Sequence, residues 1–244
     1  MKLRLLRAAL ALSLSTAAAA QGSDAIERAG VYDELVMTIF TPENLEPYIR
    51  RMIDTDLPAR LRADAGIVDI DGRCRGYIDA LARSAEPVAR QSIADNAATR
   101  RARLAELFSS ALTEREAAAA VAFFTSPLGR RYSASIANNA TYANSNAELA
   151  TQDSLSGEAL EADLTAGEEA ARAALSNGDR SEIERIMATE RWAAKLSDLS
   201  PAMTQLNVQQ MNGQQMEEYS AKIDAAMEKA AQEHLATCGL RLAE

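Results

Sequence analysis

The chain holds two cysteines and one histidine, and His234 and Cys238 stand four residues apart. On a helix this spacing places both side chains on one face. A thiolate beside its base, or a pair of metal ligands, would use that arrangement. A structural zinc site, however, takes four Cys or His ligands, and His234 is the sole histidine. The alternative pairs Cys238 with Cys74, because an even cysteine count in a chain that leaves the cytoplasm favours a disulfide. That bridge would tie the amino-terminal half to the last helix and stabilise the fold by roughly 4 to 5 kcal/mol in the chain-entropy model. It would also consume the thiol that a nucleophile needs.

The other candidates carry less pattern. Asp69 to Gly72, DIDG, has the composition of a calcium-loop start. Its glycine follows the second aspartate directly and no terminal glutamate stands in register, so the segment reads as a turn. Asn139, Ala140 and Thr141 form a glycosylation acceptor, a triplet that chance supplies often. Carboxylates are many and scattered on helical faces, where solvation accounts for them. The chain has no GxSxG, HExxH, phosphate loop or CxxC. No catalytic, metal or cofactor-binding residue is therefore assigned, and no cofactor is expected.

The elements that would position these residues begin with a leader. Lys2, Arg4 and Arg7 precede the apolar run from Ala8 to Ala20, which ends in Ala18, Ala19 and Ala20. A basic start, a short apolar core and small residues at the cut form a secretory signal, so residues 1–20 are expected to be removed. The run is shorter than the roughly 20 residues of a spanning helix, and no later segment is continuously apolar for that length, so no transmembrane segment is expected after signal removal. The expected location is periplasmic or secreted. The formal net charge is −9. Losing the leader removes three basic residues and no acidic one, making the chain more acidic still. Phosphate backbones and anionic lipids repel such a surface, which argues against nucleic-acid binding.

From residue 21 onward helical punctuation recurs and alternating strand residues do not, so the chain reads as all-α: a bundle of about seven to nine helices built from helical hairpins. Residues 21–244 form one helical domain, or two lobes, 21–152 and 153–244, that the disulfide clamps together. Thr41 and Pro42 open a helix with Leu45, Ile49, Met52 and Ile53 on one face, and Pro58 kinks or ends it. Gly66 to Gly72, GIVDIDG, is the best loop or strand candidate, and a long helical region with a break near Pro87 runs to about Leu112. From Ser156, Leu160, Leu164, Ala171 and Leu175 share a stripe that Asn177 and Gly178 stop. Ser181 and Glu184 form a capping-box pattern, and Ser200 with Pro201 starts another helix. The last helix carries Met216, Tyr219, Ile223 and Met227 on one stripe, a core pattern, and ends at Gly239.

The most patterned stretch is LTEREAAAAVAFFTSPLGRRY, Leu112 to Tyr132. Thr113 and Glu116 can satisfy each other's backbone N–H groups at a helix start. Phe123 and Phe124 near that helix's end need cover. Ser126 and Pro127 repeat the start signal, so the motif is a helical corner. Gly129 costs about 1 kcal/mol of helix stability and so marks a close backbone approach. A sharper reading has the N–H groups near Pro127, with Arg130 and Arg131, holding an anion.

On Thr113, Glu116, Phe123, Phe124, Ser126, Pro127, Gly129 and Arg130 the chain resembles the family called domain of unknown function 2059, whose members have a signal peptide and a helical body. Phe124 stands where that family often has Tyr. The resemblance implies fold and compartment and no chemistry. Two functions fit: an exported, noncatalytic helical protein that binds a partner protein or a small apolar ligand, or a periplasmic hydrolase or thiol enzyme with a site assembled from distant residues. A dry Met-lined groove would favour the first, converging carboxylates or a free Cys238 beside His234 the second.

Overall fold

The computed structural model describes residues 30–152 and 154–240, so the expected leader lies outside the described residues. Every regular element among them is helical. In chain order these are α1 (Gly30–Ile39), α2 (Pro42–Arg51), a π-helical turn (Met52–Asp56), α3 (Leu57–Leu61), α4 (Ala65–Arg73), α5 (Tyr77–Ala111), α6 (Glu114–Thr125), α7 (Pro127–Asn139), α8 (Ala143–Thr151), α9 (Gly157–Ala174), α10 (Asn177–Thr189), α11 (Arg191–Asp198), α12 (Ser200–Met211) and α13 (Gln214–Thr237). They outnumber the seven to nine expected, because short helices such as α4 and α11 are set by their ends and packing more than by a long apolar period. Among the described residues no helix is long and apolar enough to cross a membrane.

The architecture follows from α5, whose 35 residues extend about 50 Å at 1.5 Å per residue. Its first half packs along α13. Tyr77, Leu81, Ala85 and Ala89 meet Tyr219, Ile223, Met227 and Leu235, with Ile53, Leu57, Leu61 and Ile67 closing that core. Its second half enters a separate core, where Leu104, Phe108 and Leu112 meet Leu35 and Val36 of α1, the corner helices α6 and α7, and Ile183 and Trp192. A third, small cluster of Leu149, Leu155, Leu160 and Met211 joins α8, α9 and α12. Helices after residue 153 therefore complete cores begun before it.

Several boundaries differ from the sequence reading. GIVDIDG lies within α4: Asp64 accepts the N–H groups of Gly66 and Ile67 and starts a helix that runs to Arg73, burying Ile67. Asp69 and Asp71 thus sit on a helix and not in a turn. Pro87 does not interrupt α5, since the Ala85 and Ala89 contacts to α13 on either side of it hold the helical path. Pro58 does not end its helix either. The Leu57 N–H reaches back five residues to Met52 O, a π turn just before the proline, and the chain stays helical to Leu61. Asn177 and Gly178 start α10 with Ser176 as its cap, so Ser181 and Glu184 are interior. On α9 the buried face is Leu160, Asp163, Gly167 and Ala171, whereas Leu164 is 45% exposed.

Candidate functional site

The patterned stretch resolves as a corner. Thr113 Oγ1 accepts the Glu116 N–H, and Glu116 accepts the Thr113 N–H at 2.8 Å, a complete capping box. Lys195 of α11 adds an ion pair to the same carboxylate at 2.6 Å and, together with the Thr113 N–H, holds Glu116 down to about 2. Ser126 Oγ accepts the Gly129 N–H. A β-carbon at Gly129 would collide with the Phe123 carbonyl, so the glycine is what lets α7 turn back across the end of α6. Phe123 and Phe124 find their cover in Trp192, at ring distances of 5.3 and 6.1 Å. The arginines of the anion reading are engaged within the fold: Arg130 Nε donates to Thr125 O at 3.0 Å, and Arg131 grips Asp179 through two bonds.

Cys74 and Cys238 form a disulfide across a sequence separation of 164, with Cα atoms 5.7 Å apart. Gly76, at φ 88°, and Gly239, at φ 71°, turn the chain beside each half of it. Gly239 closes α13 through bonds from the Gly239 N–H to Ala236 O and the Leu240 N–H to Leu235 O. His234 lies close by, its Nε2 3.2 Å from Arg75 O. The ligating atoms of Cys74, His234 and Cys238 fall within 4.8 Å of one another, but the sulfurs are bonded together, so neither thiolate nor metal chemistry is open to them in this state.

A different cluster, missed in the sequence, lies on α5 between its two cores. The buried face that carries Leu81, Ala85 and Ala89 continues as Ser92 and Asn96, then the partly buried Arg100, before returning to Leu104 and Phe108. Ser92 and Asn96 are 0% and 2% exposed. Asn96 Nδ2 donates to Ser92 O at 2.7 Å, while its Oδ1 has no hydrogen-bond partner among the described residues. The Arg100 guanidinium lies 4.6 Å over the Phe40 ring. Burial draws its pKa down, and the neighbouring phenols of Tyr142 and Tyr48 oppose that.

Tyr48 of α2 and Tyr142, at the start of α8, lie 6.4 Å apart. Burial pushes both phenols up, Tyr142 well above its ordinary value, so both remain hydrogen-bond donors. Beside them Asp163 reaches from α9 to cap α8, accepting the N–H groups of Asn144 and Ser145 at 2.9 and 2.8 Å. Asp56 of the π turn is raised by burial and opposed by Arg51, whose Nε stands 3.6 Å away, and by Arg60. Burial lowers the Arg60 pKa in turn, and neither Nη1 nor Nη2 of Arg60 has a hydrogen-bond partner among the described residues. The same holds for Ser145 Oγ and Asn146 Oδ1. The result is a polar seam walled by α2, the π turn, α5, α8 and α9.

The sequence signal for this seam is the pair Asn96 and Arg100 on an otherwise apolar or small-residue stripe of α5. It was hidden because α5 is long enough for one face to serve two cores with a polar interval between them.

No curated protein and no solved structure shows a significant match to this chain. Residues 101–141, which span the end of α5 and the corner formed by α6 and α7, match the model of a family described as uncharacterized protein conserved in bacteria, domain of unknown function 2059.

Proposed function

We propose that the protein is an exported, noncatalytic binding protein and that the polar seam holds its ligand. The observation that carries this reading is Arg60. Buried polar groups are almost always paired, and leaving a buried charged donor unmatched is costly. A fold that leaves both terminal nitrogens of Arg60 without a hydrogen-bond partner among the described residues, with only the charge of Asp56 to answer them, holds groups set aside for something else. The π turn that carries Asp56 supports the reading, since such turns recur at functional sites.

Binding fits better than catalysis because both carboxylates are occupied. Asp163 accepts backbone N–H groups and Asp56 faces Arg51, so neither is placed to move a substrate proton. The ligand is a polar small molecule rather than the apolar one expected, since Met227 of the α13 stripe is core at 1% exposure and the seam carries arginine and tyrosine. Export is supported by the basic start and apolar run of residues 1–20 and by the disulfide. The shared cores favour one helical domain over two lobes.

Native mass spectrometry of the mature chain tests this. The expected spectrum shows a small noncovalent adduct on the wild-type protein that Arg60→Met loses. Identical spectra for both proteins would overturn the reading.

A further inference from the structure

Cys74, His234 and Cys238 are the chain's two cysteines and its one histidine, and the fold gathers all three although His234 stands 160 residues from Cys74. Their ligating atoms lie within 4.8 Å of one another. The sequence alone pairs His234 with Cys238; the third member arrives only when α13 docks along α5. A tetrahedral zinc, bonded at about 2.3 Å to sulfur and about 2.1 Å to nitrogen, keeps its ligands about 3.5 to 3.8 Å apart. Small side-chain rotations span the difference.

The frame around these residues does not depend on the bridge. Cys74 ends α4 and Gly76, at φ 88°, turns the chain into α5, while His234 lies in the last turn of α13 and Cys238 ends that helix. Tyr77, Leu81, Ala231 and Leu235 pack the two ends into the first core. The His234 ring lies against the Gly76 turn, and its Nε2 donates to Arg75 O at 3.2 Å. A carbonyl only accepts, so Nδ1 keeps the lone pair that a cation needs, and a backbone carbonyl is a usual second partner of a metal-ligating histidine. Cys238 is exposed whereas Cys74 is buried, so a reductant reaches the bridge at Cys238.

We infer that the reduced chain binds one zinc ion through Cys74, Cys238 and His234, so that crosslink and metal are alternative states of one site. The reductant is a dithiol. One of its thiolates attacks Cys238 Sγ and expels Cys74 as a thiolate; its second thiolate attacks the resulting mixed disulfide and expels Cys238. The dithiol leaves as a cyclic disulfide, two electrons poorer. Two thiolates then cancel the charge of Zn2+ and a neutral imidazole adds none, which suits a site bordering the apolar core around Cys74. Cu+ would leave a net negative charge there, and calcium and magnesium take oxygen ligands. With three protein ligands the fourth position falls to water. The inference is independent of the polar seam.

The test reduces the mature chain with a phosphine, strips metal with a chelator, and titrates it with zinc or cobalt(II) without oxygen, beside the oxidised wild type, His234→Ala and Cys238→Ser. The reduced wild type should take up one equivalent of zinc, and with cobalt should show the strong visible absorption of a tetrahedral, thiolate-ligated ion. The oxidised chain should show neither. Each variant should bind zinc at least about tenfold more weakly, since even the outer partners of a metal site are worth that much. His234→Ala keeps both cysteines, and its helical circular dichroism, expected to match wild type, separates a lost ligand from a lost fold. Saturating zinc should also slow re-oxidation of the wild type by oxidised glutathione at least about tenfold, because metal-bound thiolates are withheld from exchange. No uptake by the reduced wild type, equal uptake by the oxidised chain, a weak octahedral cobalt spectrum, or an affinity unchanged in helical His234→Ala would each overturn the inference.

Discussion

Replacing Cys74 and Cys238 together with alanine isolates what the crosslink contributes. The bridged residues are 164 apart in sequence, and closing so long a loop removes unfolded-state entropy worth about 5 kcal/mol at 25 °C in the chain-entropy model. The native side changes less. Cys74 is 1% exposed in the first core, so alanine there leaves a sulfur-sized void costing about 1 kcal/mol, whereas Cys238 is exposed. With a urea slope of about 3 kcal/mol/M for a domain of this size, the unfolding midpoint should fall by about 2 M. The assay is helical circular dichroism in urea for the oxidised wild type, the wild type with a dithiol reductant, and the double variant. The two bridge-free samples should agree to within about 0.5 M, since a cavity term of this size is small against the slope. The folded baseline should stay helical, because Tyr219, Ile223, Met227 and Leu235 still dock α13 along α5. A midpoint that moves by less than about 0.5 M on removing the bridge would refute the claim that the crosslink acts by restraining the unfolded chain.

Three further outcomes follow from the packing and the ion pairs. Gly129→Ala drives a β-carbon into the Phe123 carbonyl and should cost at least about 2 kcal/mol in urea unfolding; a neutral result would show that the corner can open. Asp163→Ala strands the Asn144 N–H and the buried Ser145 N–H, and is expected to cost about 2 kcal/mol and to raise amide exchange at the start of α8; unchanged exchange there would contradict the capping role. Glu116 is held at about 2 in the folded chain against an ordinary 4.5, mainly by Lys195. Its contribution is therefore complete above pH 4.5 and drains away as the pH falls toward 2, and Glu116→Gln should flatten that part of a stability-against-pH curve.

Where a few neighbouring residues settle the geometry, the sequence was legible. Thr113 with Glu116, Ser126 with Pro127, Ser156 and Gly239 act within one turn of themselves, and each ends or begins a helix as its type suggests. Gly129 could be read as a close approach because glycine early in a helix needs a reason. Legibility stopped where a distant element decides. Pro87 is carried through by α13, which lies more than a hundred residues later in the chain. Leu164 faces solvent because Asp163, an apparent surface acid, turns inward to cap a helix preceding its own. The polar seam needs all of its contributing helices in place before the terminal nitrogens of Arg60 can be seen to lack a hydrogen-bond partner, and no spacing along the chain encodes that.

The most direct test of the account is a high-resolution crystal structure of the mature protein purified without added carboxylate or phosphate and read at Arg60. The account predicts density for a bound small molecule with polar atoms within hydrogen-bond distance of Nη1 and Nη2. Ordered water alone on both nitrogens, with the seam otherwise closed as it stands, would contradict it.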